Sequence, residues 1–153
     1  MNWPLLVLSA HAASTLALVG LIWTIQLVHY PAFRFVDPTR FVEFEAFHQR
    51  QISLAVVPLM LVELSTAAML LWLRSTGVPL WMAVAGAGLV LFIWGCTFAV
   101  QVPLHNQLAQ RYDGAAIEQL VRSNWIRTVA WTLRGGLVLW ALWLAAMAGG
   151  RMP

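Results

Sequence analysis

The chain has 153 residues, of which 61% are hydrophobic and only 10% are charged, and its formal net charge is +3. No soluble globular domain of this length needs so large an apolar fraction, so the composition excludes an ordinary soluble enzyme. The sequence also lacks a basic patch interleaved with aromatic residues, and we therefore predict no nucleic-acid partner.

Four apolar runs are long enough to cross a bilayer as helices, which takes about 20 residues each. The predicted spans cover residues 5–30, 52–73, 80–102 and 124–148. Helices satisfy every backbone hydrogen bond inside lipid. The sequence therefore predicts an all-α protein with a single transmembrane domain over residues 1–153, folded as an antiparallel four-helix bundle in contact with the lipid bilayer.

The predicted spans are joined by two long connections, 31–51 and 103–123, and by a short turn from Arg74 to Pro79. Asp37-Pro38 is typical of a helix start, so we expect a helix to begin there and to run into span two. Asp113 can cap a short helix that leads into span four. The first span has no basic leading segment and is longer than a signal-peptide core, so we expect it to be retained.

The distribution of basic residues predicts the orientation of the chain. All nine basic residues are arginines, and most lie in or beside the two long connections. Only Arg74 and Arg151 belong to the other side. By the positive-inside rule, the long connections face the cytoplasm and both termini lie outside it.

Each predicted helix carries its polar residues on one face when successive residues are placed about 100° apart. These residues are His11, Thr15, Gln26 and His29 on the first helix, Glu45, His48, Glu63 and Thr66 on the second, Thr97, Gln101 and His105 on the third, and Asn124, Arg127, Trp131 and Arg134 on the fourth. Polar groups are costly in lipid, so we expect the four faces to meet inside the bundle.

Two of these residues, Glu63 and Arg134, lie near the middle of their spans. An unpaired charge at that depth is very costly, which predicts that they form a buried ion pair. The pair either fixes the register of the helices or orients or protonates a molecule bound nearby.

Three histidines, His29, His48 and His105, lie at the ends of helices that meet on the cytoplasmic side. Glu45 precedes His48 by three residues and so shares its helix face, as in bundles that hold metals with carboxylates. The four residues are candidate metal ligands, and the three histidines are candidate haem ligands or cofactor-binding residues. A metal-free role in proton transfer or substrate binding, and a purely structural role, remain open.

Two segments, Val102-Pro-Leu-His-Asn-Gln-Leu108 and Asn124-Trp-Ile-Arg-Thr128, resemble the pattern of the bacterial branch of the anthrone oxygenase-like family of small four-helix membrane proteins. The resemblance extends to Tyr30-Pro31 and to the region from His48 to Arg50. It implies a bacterial inner-membrane protein whose fungal relatives oxidise anthrones to anthraquinones without a firmly established cofactor. The motif positions that carry over are His105, Asn106, Asn124 and Arg127.

Oxygenation of a hydrophobic phenol needs a base, a group that holds the developing negative charge, and an apolar pocket. We expect His29, His48 or His105 to act as the base and Arg127 and Asn124 to hold the anion. The resulting hypothesis is an oxidoreductase or oxygenase-like enzyme with His48, His105, Asn124 and Arg127 as catalytic residues and a hydrophobic aromatic small molecule as substrate.

The alternative is a non-catalytic membrane protein, either a small carrier or an accessory subunit of a larger complex. Gly86, Gly88, Gly135 and Gly136 permit close contact between helices. Such contacts occur either within one bundle or between subunits of a homo-oligomer or larger membrane complex.

Overall fold

The computed structural model of the protein describes residues 3–73 and 78–149. The predicted turn from Arg74 to Pro79 lies largely outside the described residues, as does Arg151. The α-helices of the described part are α1 Trp3–Thr24, α2 Tyr30–Ala32, α3 Phe41–Trp72, α4 Leu80–Cys96, α5 Val102–Leu108 and α6 Gly114–Gly149.

These helices build four long rods, because α2 continues the direction of α1 and α5 continues that of α4. Helix α1 packs against α3 and α6, and α4 also packs against α3 and α6, so the rods form a closed square. All four rods are long and apolar enough to cross a membrane. The predicted all-α, antiparallel four-helix transmembrane bundle is confirmed.

Large apolar side chains cover the outside of the bundle as well as its interior. Leu54 is 68% exposed and Leu91 is 66% exposed, and similar residues lie on every rod. A soluble protein does not present so much contiguous apolar surface to water. The chain is therefore an integral membrane protein whose outer surface contacts lipid.

Two proline residues reshape the rods at the same end of the bundle. A five-residue π-helical segment, Ile25–His29, precedes Tyr30-Pro31, and a second one, Thr97–Gln101, precedes Val102-Pro103. In each segment a backbone N–H reaches back five residues, from Tyr30 to Ile25 and from Val102 to Thr97. A proline ring clashes with the preceding turn of an α-helix, and the wider π turn gives that ring room.

The two ends of the bundle carry different structures. One end, called the connector end, holds residues 31–51 and 103–123. There α3 starts after a 3-10 turn at Pro38–Arg40, and Asp37 before this turn accepts hydrogen bonds from Thr39. Helix α6 runs unbroken from Gly114, so the short helix expected after Asp113 is its first part. At the other end, called the terminal end, α1 and α4 begin and α3 and α6 finish.

Candidate functional site

The three predicted histidines meet at the connector end, close to both π-helical segments. His29 is the last residue of the first π segment, and His105 lies on α5, one helical turn beyond the second. Glu45 and His48 lie one turn apart on the buried face of α3. We call these four residues together with Tyr30 the histidine cluster.

A carboxylate, an imidazole and a phenol form a connected chain within the histidine cluster. His105 Nδ1 lies 2.6 Å from Glu45 Oε1, and His105 Nε2 lies 3.0 Å from the Tyr30 hydroxyl oxygen. A carboxylate without a proton can only accept, so His105 donates through Nδ1 and its Nε2 accepts from the phenol. Gln49 donates to both Glu45 and the His105 carbonyl, which holds the chain in place.

The other two histidines form a pair. His29 Nε2 lies 2.7 Å from His48 Nδ1, and the ring centroids are 4.6 Å apart. His48 is also close to His105, with 5.2 Å between ring centroids. The cluster therefore brings all three histidines together at one depth.

Two polar atoms of the cluster have no partner among the described residues. They are Glu45 Oε2 and His48 Nε2, both of which are buried. One ligand atom from each of Glu45, His48 and His105 can be chosen so that all lie within 4.8 Å of one another. Because buried polar atoms almost always have partners, this arrangement is typical of a site that takes a small ion or a water.

An amide and guanidinium network lies next to the cluster. Asn124 donates to Gln26 Oε1 at 2.9 Å and accepts from Arg127 Nη1 at 3.0 Å. Thr128 also donates to Gln26 Oε1, and Gln26 in turn donates to the Val121 carbonyl. These contacts tie α6 to the first π segment.

Arg127 carries a buried positive charge that has no acidic partner among the described ion pairs. Its exposed fraction is 7%, and its Nε atom has no hydrogen-bond partner within the described part of the chain. The guanidinium interacts with the Tyr30 hydroxyl, which joins the network to the histidine cluster. A buried cation of this kind can hold a negatively charged oxygen.

Aromatic rings enclose the histidine pair. The Phe33 and Phe44 rings lie 5.1 Å and 6.5 Å from the His48 ring, centroid to centroid, and Phe44 is stacked on it. Phe44 also lines an open groove of about 440 Å³, whose other lining residues are Val36 and Phe47 and the charged Asp37, Arg40 and Glu43. His48 is thus separated from the surface of the protein by one aromatic side chain.

Glu63 and Arg134 lie in a separate layer, nearer the terminal end. Arg134 donates through Nε to Glu63 and through Nη1 to the Gly86 carbonyl, and both charged side chains are almost completely buried. His11 Nδ1 lies 2.9 Å from the Thr66 hydroxyl, and its Nε2 lies 3.4 Å from Arg134 Nη2. The histidine that does not join the cluster therefore lies beside the ion pair.

The structure places nearly all of the predicted polar residues inside the bundle, and it adds several that the sequence did not single out. His29 contacts His48 but lies outside the compact group of possible ligands. Asn106 is exposed, whereas Asn124 is fully buried. Sequence reasoning missed Tyr30 and Gln49, although Tyr30-Pro31 belongs to the motif that carries the family resemblance.

No family model, curated protein or solved structure matches this chain. The fold and site define the class of protein as an integral membrane four-helix bundle with a buried cluster of histidine, carboxylate and arginine side chains.

Proposed function

We propose that this protein is a membrane oxidoreductase-like enzyme that acts on a hydrophobic aromatic molecule, and that its histidine cluster holds a divalent metal ion. The observation that carries the proposal is the pair of buried, unpartnered ligand atoms, Glu45 Oε2 and His48 Nε2, beside His105. Glu45 and His48 would supply a carboxylate and an imidazole, two of the ligand types that non-haem iron takes, while both ring nitrogens of His105 are engaged with Glu45 and Tyr30.

The contacts around these ligands also fit a metal. If His48 binds the ion through Nε2, its Nδ1 carries a proton and donates to His29 Nε2. Metal-binding histidines commonly donate their second N–H in this way, which fixes the tautomer and the orientation of the ring. The close packing of Phe33, Phe44 and Tyr30 against the His48 ring favours a small ion over haem.

We propose acid–base and charge-stabilising roles for the remaining residues of the site. His105, oriented by Glu45, accepts a proton from Tyr30 or from a phenolic substrate that takes the place of its hydroxyl. Arg127, oriented by Asn124, holds the oxygen that becomes negatively charged. A bound iron would supply the electron-transfer chemistry that these side chains cannot provide.

The aromatic residues beside the site support the proposed substrate class. Phe44 covers His48 and, with Phe47, lines a groove whose wall also includes the charged residues Asp37, Arg40 and Glu43. The two rings offer an aromatic ligand a surface to pack against. This substrate class agrees with membership of the anthrone oxygenase-like family, which we propose on the motif residues His105, Asn124 and Arg127. We further propose a bacterial inner-membrane location with both termini outside the cytoplasm.

The test is elemental analysis and an optical spectrum of the full chain purified in mild detergent after loading with Fe²⁺ or Zn²⁺. We expect one ion per chain, lost in Glu45→Gln and in His48→Ala. The matched controls are Glu43→Gln, an exposed carboxylate on the same helix, and His11→Ala, a histidine outside the cluster. Retention of the metal in His48→Ala, or its loss in Glu43→Gln, would contradict the assignment.

A second candidate function is that of an accessory subunit or small carrier without catalysis. Gly86 and Gly135 face Arg134 and Val19 inside the bundle, but nothing in the described chain lies within 4 Å of a Cβ placed at Gly88 or Gly136. These two glycines leave room for a neighbouring helix. A protein that stays free of metal and self-associates in detergent would favour this candidate.

A further inference from the structure

A cavity of about 230 Å³ lies between all four rods in the terminal half of the bundle. Most of its wall is apolar, with Leu8, Ala67, Met82 and Val138 each contributed by a different rod. Its polar wall consists of Arg134 and His11. Arg134 follows Arg127 by seven residues on α6, about 10 Å along the helix axis, so the cavity is distinct from the histidine cluster.

The hydrogen bonds around Arg134 define what this polar wall can offer. A guanidinium has five N–H groups. Arg134 directs one to Glu63, one to the Gly86 carbonyl and one toward His11 Nε2. Two of its N–H groups therefore have no partner among the described residues, on a side chain that lines the cavity.

Neither ring nitrogen of His11 is free to accept a hydrogen bond from a ligand. The Thr66 hydroxyl donates to the carbonyls of Val62 and Glu63, so it accepts from His11 Nδ1. His11 Nε2 is then the lone-pair nitrogen that faces Arg134. The polar wall consequently presents hydrogen-bond donors to a ligand.

The charge of the wall is balanced, because the Arg134 guanidinium is paired with the Glu63 carboxylate. A carboxylate ligand would add an uncompensated negative charge in a low-dielectric interior, which is costly. A neutral carbonyl oxygen accepts a hydrogen bond without that cost.

We propose that this cavity binds a neutral hydrophobic molecule of one or two rings whose carbonyl oxygen accepts a hydrogen bond from Arg134. The size follows from the volume, since a cavity of about 150 Å³ already binds benzene. The site is independent of the proposed metal and of the chemistry at the histidine cluster. Such a ligand reaches the site from the lipid phase, where neutral ring compounds concentrate.

The test compares three probes on the full chain in detergent by calorimetric titration. The probes are 1-tetralone, tetralin, which has the same rings without the carbonyl group, and 1-naphthoate, which carries a negative charge. We expect 1-tetralone to bind about 2- to 10-fold more tightly than tetralin, the range for one net hydrogen bond. We expect 1-naphthoate to bind most weakly, and tighter binding of 1-naphthoate would overturn the proposal of a neutral ligand.

Two variants test the location. Ala87→Phe fills the cavity, and its matched control, Ala85→Phe, adds the same ring to an exposed position on the same helix. We expect binding of 1-tetralone to be lost in the first and kept in the second. Equal binding by Ala87→Phe and the wild type would show uptake by the detergent or by another surface, and would overturn the proposal.

The double variant Glu63→Leu with Arg134→Met tests the hydrogen bond without leaving an unpaired charge in the core. We expect it to bind 1-tetralone no more tightly than tetralin while it still binds tetralin. A preserved preference for 1-tetralone in this variant would rule out Arg134 as the donor.

Discussion

The Nε2 atom of His29 and the Nδ1 atom of His48 lie 2.7 Å apart, so the two imidazoles share a hydrogen bond that only one proton can occupy. The proton belongs to His48 when its other nitrogen binds a metal, and His29 then acts as the acceptor that holds the ring. The proposed metal site thus gives the two histidines unequal roles.

We therefore predict different metal affinities for two single variants. His48→Ala removes a ligand and should abolish stoichiometric metal binding. His29→Ala removes only the partner of the ligand and should weaken binding by about 10- to 100-fold. Metal titration of both variants in detergent is the measurement, and equal losses in the two would contradict the unequal roles.

The buried ion pair predicts a non-additive effect on stability. Arg134→Met alone leaves Glu63 charged and unpaired in the core and should destabilise the fold by about 3–5 kcal/mol. Adding Glu63→Leu removes that charge and should restore most of the loss. Thermal unfolding in detergent measures both, and a double variant less stable than the single one would show that the pair stabilises the fold in its own right.

The two motif asparagines should differ in their effect on folding. Asn124→Leu removes the acceptor of the Arg127 guanidinium and the nearer of two donors to Gln26 Oε1, which keeps Thr128, and it should cost about 1–3 kcal/mol. Asn106→Leu alters an exposed side chain and should change the free energy of unfolding by less than about 0.5 kcal/mol. Denaturation of the two variants side by side tests the difference, which disappears if the Asn124 network is not formed.

Asp113 should make the start of α6 sensitive to acid. Its carboxylate accepts from the backbone N–H groups of Ala116 and Ala115, and the bond from Ala116 is the main reason why its pKa lies below its usual range. A carboxyl group with a lowered pKa stabilises the folded state above its unfolded pKa, about 3.9, and this contribution is lost as the pH falls through the folded value.

We predict that the wild type exceeds Asp113→Asn in hydrogen-exchange protection of the first α6 turn at pH 7, and that the gap closes on acidification. Asp113→Ala, which also removes the acceptor, should be less protected than Asp113→Asn throughout. A gap that stays constant down to acidic pH would show that the carboxylate charge does not support the helix.

The paired glycines on α6 should differ in their response to alanine. A Cβ at Gly135 would lie 3.0 Å from Val19 Cγ2, whereas one at Gly136 meets nothing within 4 Å. Gly136→Ala should therefore stabilise the helix by up to about 1 kcal/mol, and Gly135→Ala should be the less stable of the two. Thermal unfolding in detergent compares them, and a loss of stability or of self-association in Gly136→Ala would point to a neighbouring helix at that position.

Hydropathy and helical phase were enough to predict the bundle and the inward direction of its polar faces. The apolar runs set the four spans, and the i, i+3 spacing of Glu45 and His48 placed both on the buried side of α3. Phase arithmetic could not predict which polar atoms would meet, because contacts such as Tyr30 with His105 depend on how separate rods pack. It also assumed one constant helical pitch, which the π-helical segments break.

The cavity beside Arg134 was beyond prediction from the sequence for a related reason. Empty space in a bundle results from the fit of small residues such as Ala67 and Gly86 on different rods. The spacing of residues along a single helix does not predict that fit.

The two π-helical segments set the orientation of two histidines of the cluster. A π turn contains one residue more than an α turn, so each segment absorbs the equivalent of a single-residue insertion in a regular helix. If Ile25–His29 were wound as a regular α-helix of the same length, His29 would be turned by about 100° relative to the helix before it. The same change in Thr97–Gln101 would turn His105. At these two places a change in helical winding alone would dismantle the cluster even though every one of its residues is still encoded.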